Sequence, residues 1–509
     1  MNGFTKRLFG SGVRHYWAIG LVASFQIFLF CGYHYERWYK SMLPLNSPRA
    51  RIGEGLIIRC DGLGYYAWLR SPVIDGDWSF DNEFDDSNIT NNAVPGPLQR
   101  TELGRRANPW SVGPACVWAI TIVPGHLLVS LSQPAGLPWP ADGYSLPYQL
   151  IVGVTTLLLS IVGLCFLFGI CRQFADPARA ALAAGLMTLG TTIVYYGSIE
   201  VSMAHGVATA AVSVLVYSWA STFGSLSPRR WFLIGLLVGV TALFRWQLIT
   251  LAVLPAGEAA WNTFARQSRS WREQRKLFGG ICVAMLGATL AFSPQMIAWR
   301  MVFGNWIASP IRTSPHWMSP AFFQVLFAQD RGFFYWTPLT LIACLGFLVP
   351  LVGRGDKSAD NGASAVPKLT LLLAAFLFHL YVLASVWGGF VYLGAAYGFR
   401  HLTESVVLLA PGLAVLLARM PARAFPWLAA LCCLVTLWNL ILLCQYRNYY
   451  IPSDAGMDPA ELLANTMRLI RRKRLLLLGQ AVIVPILLWL LVGRQTKVVP
   501  GCALTERST

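Results

Sequence analysis

Long apolar runs recur along the chain, separated by short basic or aromatic-rich connections. They fall at 16–33, 112–132, 147–171, 178–197, 203–222, 231–254, 277–300, 333–353, 367–387, 402–418, 425–444 and 475–493. A nearly uncharged apolar run of about 18 residues predicts a transmembrane helix. In lipid every backbone polar group must be paired internally, so helices or closed barrels are the choices. These runs are long and evenly apolar rather than short and alternating, which excludes a barrel. The pattern therefore predicts an all-α polytopic membrane protein with about 11–13 transmembrane helices.

Three polar stretches between the runs are long: 34–111, 301–332 and 445–474. Lys6, Arg7 and Arg14 precede the first run, and no small-residue cleavage site follows it. That predicts an uncleaved first span that starts in the cytoplasm. Counting from there, 34–111, 301–332 and 388–401 lie outside and the basic stretch 262–276 lies inside, as the positive-inside rule requires. "CRQFADPAR" (171–179) and "RRKR" (471–474) fit this count poorly, and the side faced by "SIEVSMAHG" (198–206) stays open. The stretch 34–111 is then a large first extracytoplasmic loop carrying short interfacial helices. Its "GLGYYAWLR" sets Leu63, Tyr66 and Leu69 on a shared helical side, and aromatic-rich helices of this kind suit a membrane interface.

Composition agrees with the pattern. The chain is 55% hydrophobic and 12% charged, with a mean hydropathy of +0.52; soluble chains carry about twice that charged fraction. The net charge of +17 comes from basic residues flanking the spans. They form no continuous stripe, which argues against nucleic acid as a partner. The eleven cysteines show no CxxC and no metal spacing, so no disulfide framework is expected. No internal repeat is visible, and "GRGDKSADNGASAVPK" (353–368) reads as a flexible linker.

Charge changes the picture at one place. The stretch 59–86, "RCDGLGYYAWLRSPVIDGDWSFDNEFDD", holds seven of the chain's 23 acids. By spacing, Asp61 is the N-cap of a short helix. Asp75 and Asp77 form a D-x-D, and Asp81 and Glu83 a D-x-E. Alternating carboxylates of this kind converge on a divalent cation or a positively charged group, or they simply supply turn chemistry. Asp85 and Asp86 read as solvated.

Charges inside apolar runs are the second signal. Arg245 lies in "GVTALFRWQLITLAVL", where a charge costs several kcal/mol and points to a polar cavity or a functional partner. Glu200 and His205 lie at the edge of another run. Arg331 and Arg400 border apolar blocks. Such arginines either snorkel to headgroups or offer their planar fork to phosphate.

The order of these features resembles the GT-C superfamily of integral-membrane glycosyltransferases, which includes protein O-mannosyltransferases and lipid A aminoarabinose transferases. The resemblance is carried by Asp61, "YYAWLRSPVIDGD", "DNE", "NPWSVGPACVW", "SMAHG", "FRWQ", "FSPQMIAW…FGNW", "RGFFYWTPL" and "WGGF…YGFR". It implies a catalytic transmembrane module over 1–445, with the acidic motif in the loop 34–111. Residues 446–509 add a basic segment, a last span and a tail. It further implies transfer of a sugar from a polyprenyl-phosphate carrier to an acceptor on the non-cytoplasmic face, usually with inversion, in a bacterial inner membrane.

In that scheme Asp61 matches the general base. Asp77 and Glu83 are the nearest matches to a second acid or to ligands of a divalent metal. Arg245, Arg331 and Arg400 are assigned to the donor phosphate, and Asp75, Tyr65, Arg70, His205 and His316 are further candidates. The second helix lacks a clear "PP" start, so the acceptor (lipid, glycan or protein) stays open. A transporter or flippase would place coupling residues near the midplane in two related halves. A non-catalytic scaffold would bind neither metal nor donor. "NIT" (Asn88 to Thr90) matches a glycan acceptor tripeptide that often arises by chance.

Overall fold

The computed structural model describes residues 13–42, 57–84, 100–136, 139–264, 270–308, 315–349, 362–387, 396–452 and 458–492. Asp85, Asp86, Asn88 to Thr90 and most of the linker 353–368 lie outside the described residues. In chain order the helices are α1 (Val13–Met42), α2 (Asp61–Arg70), α3 (Gly113–Ser132), α4 (Leu146–Cys171), α5 (Pro177–Leu189), α6 (Thr192–Ser198), α7 (His205–Ser221), α8 (Pro228–Phe244) and α9 (Val253–Phe264). They continue as α10 (Trp271–Phe303), α11 (Phe322–Phe327), α12 (Phe333–Trp336), α13 (Pro338–Leu345), α14 (Gly362–Trp387), α15 (Val406–Arg419), α16 (Phe425–Arg447), α17 (Pro459–Ala481) and α18 (Ile483–Val492).

Each apolar run expected to span the membrane coincides with one of these helices or with a broken pair of them. The protein is an all-α polytopic membrane protein. Among the described residues, six helices are long and apolar enough to cross a membrane, and a seventh span results if α5 and α6 count as one. The run 178–197 is that pair, bent by 70° at the Gly190–Thr191 break. The run 231–254 likewise breaks at Arg245, where α8 gives way to a 3₁₀ turn, Trp246–Ala252. At Arg245 a charge that reaches partners inside the bundle interrupts the helix. At 190–191 a glycine C-cap and the Thr191 N-cap end one helix and start the next, and the backbone there stays buried in protein, as lipid requires.

Small residues let the helices approach closely. A Cβ on Gly235 of α8 would stand 1.9 Å from the Ala284 carbonyl oxygen of α10, and one on Gly287 of α10 would stand 2.5 Å from Phe232 O. This is the close backbone approach that small residues permit between membrane helices.

The loop after α1 differs from its interfacial expectation. Leu63, Tyr66 and Leu69 are buried, but so are Tyr65, Trp68 and every other residue from Gly62 to Arg70. Helix α2 is packed on all sides inside a second core with Phe80, Phe84, Trp118 and Tyr148. Its two glycines allow this: a Cβ on Gly62 would meet Ser202 Oγ at 2.2 Å, and one on Gly64 would meet the Trp110 ring at 2.1 Å. Trp68 Nε1 donates to Trp110 O (2.8 Å) and Tyr66 OH to Gly143 O (2.8 Å). Period alone could not show that the opposite face also has a partner.

Candidate active site

Asp61 opens α2 but does not cap it. The preceding residue, Cys60, has φ 51°, and no side-chain bond caps the helix. The Asp61 carboxylate instead faces Arg400, with Nη1 to Oδ2 at 2.8 Å. Arg400 begins the 3₁₀ turn Arg400–Leu402, directly after Phe399 and the left-handed Gly398 (φ 62°). Both side chains stay partly accessible, at 21% for Asp61 and 16% for Arg400.

Tyrosines and further arginines surround this pair. Tyr65, Tyr196 and Tyr446 lie within the field of Arg400. Burial pushes the Tyr65 phenol up to about 12, although Arg245 pulls it back. It is therefore an O–H donor at neutral pH. One residue before Cys60, Arg59 grips Glu200 with both ends of its fork, Nε to Oε1 at 3.0 Å, and donates to Tyr33 OH (3.2 Å). Tyr195 OH also donates to Glu200 (3.3 Å). The Arg447 guanidinium lies 3.2 Å from the centre of the Tyr33 ring. Arg331 is buried, donates to Ala396 O (3.0 Å) and acts on Tyr446.

Arg245 belongs to a separate knot behind Tyr65. Its Nη1 lies 3.0 Å from His205 Nε2, its Nη2 2.7 Å from His401 Nδ1, and its Nε 3.4 Å from Glu404 Oε1. His205 Nδ1 lies 2.9 Å from the same Glu404 oxygen. All four side chains are buried. A guanidinium only donates, so Nε2 of His205 and Nδ1 of His401 accept from it. His205 then donates from Nδ1 to Glu404. The knot joins the start of α7, the end of α8 and the turn that carries Arg400. The guanidinium's bonds are directed into the protein interior.

The remaining acids of the loop are placed differently. Arg70, at the far end of α2, binds Asp75 and Glu83 (Nη1 to Oε1 at 2.7 Å), donates to Asp142 O (2.9 Å) and lies 4.2 Å from the Tyr144 ring centre. Burial pushes the Glu83 carboxyl up to about 7, against the pull of Arg70. Asp77 accepts from Ser71 Oγ (2.7 Å) and Ser79 N (3.0 Å). The Ser71 hydroxyl and the Ser79 amide hold it below the usual carboxylate range. Asp81 pairs at the surface with Arg100 and Arg106.

Asp77 and Glu83 thus do not form a ligand set. One is bound to its own turn and the other is neutralised by Arg70. Among the described residues no group of three or more His, Cys, Asp or Glu is arranged to hold a metal ion. The described residues of the acidic stretch do not fit a bound divalent cation, and no step below uses one. His316 is exposed and tied by its backbone N–H to Ser385 O (2.8 Å), at the end of α14.

The structure pairs Asp61 with Arg400, two residues singled out in the sequence for separate reasons, and sets near them three residues that were not singled out. Arg59, His401 and Glu404 carried no assignment. Glu404 opens an apolar run, so the cost of an ionisable group at that depth was a signal for it. Arg59 sits in a polar loop and had none.

No protein-family model matches the chain, and no curated protein matches it. Among solved structures it is similar to the oligosaccharyltransferase of Archaeoglobus fulgidus in its apo form, with 10% identity and a TM-score of 0.41 over 92% of this chain and 56% of that one. It is also similar to ArnT from Cupriavidus metallidurans in the apo state, with 14% identity and a TM-score of 0.40 over 93% of this chain and 78% of that one. The chain spans 56% of the oligosaccharyltransferase's length.

Proposed function

We propose that the protein is a membrane glycosyltransferase that moves a sugar from a polyprenyl-phosphate donor to an acceptor hydroxyl, with inversion at the anomeric carbon. The observation that supports this reading is the Asp61–Arg400 pair. It is a carboxylate and a forked cation, both partly accessible, at the end of the bundle where Arg59, Arg331, Tyr65 and Tyr446 gather. In the proposed step the acceptor O–H gives its proton to Asp61 as its oxygen bonds to the anomeric carbon. The bond from that carbon to the phosphate oxygen breaks, and polyprenyl phosphate leaves with the negative charge. A positioned base of this kind contributes about 10²- to 10⁴-fold, and fixed cations stabilise the charge that develops on the leaving oxygen.

Arg400 has two partners in this scheme. Without donor it holds Asp61. A donor phosphate competes for the same fork, which matches phosphate bidentately, and so frees the carboxylate to take the proton. On this reading Arg331 acts next to Arg400, while Arg245 orients the turn rather than touching phosphate. The active site faces the non-cytoplasmic side of a bacterial inner membrane in this proposal.

The test is incubation of the purified full chain with a panel of polyprenyl-phosphate sugars, with and without chelator, for native protein and Asp61→Asn. Release of polyprenyl phosphate by the native chain, insensitive to chelator and lost in Asp61→Asn, is the expected result. Full turnover by Asp61→Asn sinks the assignment of the base. Chelator sensitivity overturns the metal-free scheme.

A further inference from the structure

Helix α17, whose last turns enter the final apolar run, has three distinct faces over residues 461–472. Asp458 caps it, accepting from Ala460 N (2.8 Å). Leu462, Asn465 and Leu469 are buried. On that side Gln445 of α16 donates to Leu462 O (3.2 Å) and to Thr466 Oγ1 (2.8 Å), and Asn465 donates to Tyr450 O (3.1 Å). Leu463, Met467 and Ile470 are exposed and apolar. Their i, i+4, i+7 spacing aligns them in one stripe. Arg468, Arg471 and Arg472 are exposed too, and their i, i+3, i+4 spacing makes them neighbours. At about 100° per residue the order around the helix is buried face, apolar stripe, basic face. Arg468 donates to Asn465 Oδ1 (3.1 Å). Glu461, the acid in the basic sector, lies about two turns before Arg468. In sequence the basic run continues with Lys473 and Arg474.

The first turns of α17 stand at the Asp61 end of the bundle. Gln445, which anchors them, is followed by Tyr446 and Arg447. Tyr446 lies in the field of Arg400, and Arg447 covers Tyr33, which accepts from Arg59. An apolar stripe directly beside a cluster of arginines is the pattern of a helix lying at the boundary between acyl chains and headgroups.

We propose that α17 docks on the anionic phospholipid headgroups of the leaflet at the Asp61 end. Leu463, Met467 and Ile470 enter the acyl boundary, and Arg468, Arg471 and Arg472 take the phosphates. The occupant is the bilayer surface itself, chosen because the basic face and the apolar stripe adjoin and the opposite face is already packed on the protein. The arrangement also accounts for basic residues that fit the topology count poorly, since headgroup binding requires them on that side of the membrane. The proposal stands independently of sugar transfer.

The test uses the purified full chain, delipidated in detergent and titrated with phosphatidylglycerol or with phosphatidylcholine, reading thermal stability and, by native mass spectrometry, retained lipid. Each basic residue near an anionic surface contributes roughly fivefold in affinity, so the native chain should prefer phosphatidylglycerol by roughly a hundredfold through three arginines. The triple variant Arg468→Gln, Arg471→Gln, Arg472→Gln should lose most of that preference. The triple lysine variant should keep it, which separates charge from folding. Equal preference in the glutamine variant overturns the proposal, as does a native chain that does not distinguish the lipids. Inorganic phosphate reproducing the stabilisation assigns the face to a soluble anion, and a shift to dimers that phosphatidylglycerol does not reverse assigns it to a second copy; either outcome overturns the lipid surface.

Discussion

Helix α2 carries an arginine–carboxylate pair at each end, and the two ends differ in what they leave exposed. At its start Asp61 meets Arg400, a residue more than three hundred positions away, and both stay partly accessible at 21% and 16%. At its end Arg70 meets Glu83 with exposures of 8% and 0%, and it also holds Asp75, Asp142 O and the Tyr144 ring. A charge sealed among its partners has little freedom to exchange them. A charge at an opening does. The same pair of residue types therefore closes a loop at one end of ten residues and leaves a partly accessible carboxylate at the other.

The largest expected effect tests this difference directly. Asp61→Asn removes the proton acceptor but keeps the shape, so sugar transfer should fall by about 10²- to 10⁴-fold. Stability should fall less than on opening the Arg70–Glu83 pair, because both partners keep some access to water. Turnover with a donor sugar and thermal unfolding in detergent read the two quantities separately. A large loss of stability in Asp61→Asn would make the two ends of α2 equivalent and break the comparison.

The buried end should give the converse result. Arg70→Ala removes the cation that Glu83 and Asp75 share and leaves the fully buried Glu83 without its hydrogen-bond donor, and an unsatisfied buried polar group costs about 1–3 kcal/mol. Arg245→Ala belongs to the same class, because it strands Glu404 inside the bundle. Both variants should unfold at clearly lower temperature than Asp61→Asn. An Arg245→Ala chain with native stability and weakened donor binding would return Arg245 to the phosphate and remove it from the knot.

How much of this was visible in the sequence follows from the range of each signal. The apolar runs predicted a helix at each of the six described segments long and apolar enough to cross a membrane, since burial in lipid depends on local composition alone; at 203–222, 231–254, 333–353, 402–418 and 475–493 the described helices are shorter or broken. The break at Arg245 was not visible, because it depends on partners elsewhere in the bundle; the break at Gly190–Thr191 is local, a glycine followed by a threonine that caps the next helix. Asp61 was placed by its position after the first span, but its partner was not. Asp61 and Arg400 lie in different polar segments, and nothing local links them. The interfacial reading of α2 failed for a related reason. A period of 3.6 marks one apolar face, whereas Trp110 and Ser202 cover the glycine positions from distant parts of the chain. Glu83 and Asp77 looked like a cation site because spacing shows carboxylates and not the arginine or the serines that satisfy them.

Titration sharpens the contrast further. The Glu83 carboxyl is raised from its ordinary 4.5 to about 7 by burial. Between those values the folded chain binds more protons than the unfolded one, so Glu83's contribution is complete below pH 4.5 and is lost as pH rises through 7. The loss amounts to about 3 kcal/mol at most. Glu83→Gln should flatten that slope in unfolding experiments between pH 5 and 8 (roughly the range in which native stability peaks) and leave sugar transfer intact. A native chain whose stability rises with pH across this window would mean that Arg70 outweighs burial and keeps Glu83 ionised.

The smallest effect belongs to Asp81. Asp81 is paired with Arg100 at 2.8 Å and Arg106 at 3.1 Å, with Asp81 43% and Arg100 54% exposed. Its distances match those of the other two pairs, so distance alone would assign it equal weight. Exposure says otherwise. Water and salt screen such a pair, and its two long side chains lose freedom in forming it, which leaves about 0–1 kcal/mol. Arg100→Gln should therefore change neither transfer nor unfolding temperature beyond that small margin, and raising the salt concentration should erase even that. If Arg100→Gln instead destabilises the chain as much as Arg70→Ala, accessibility is not what separates the acids of this loop, and the distinction drawn between the two ends of α2 loses its physical basis.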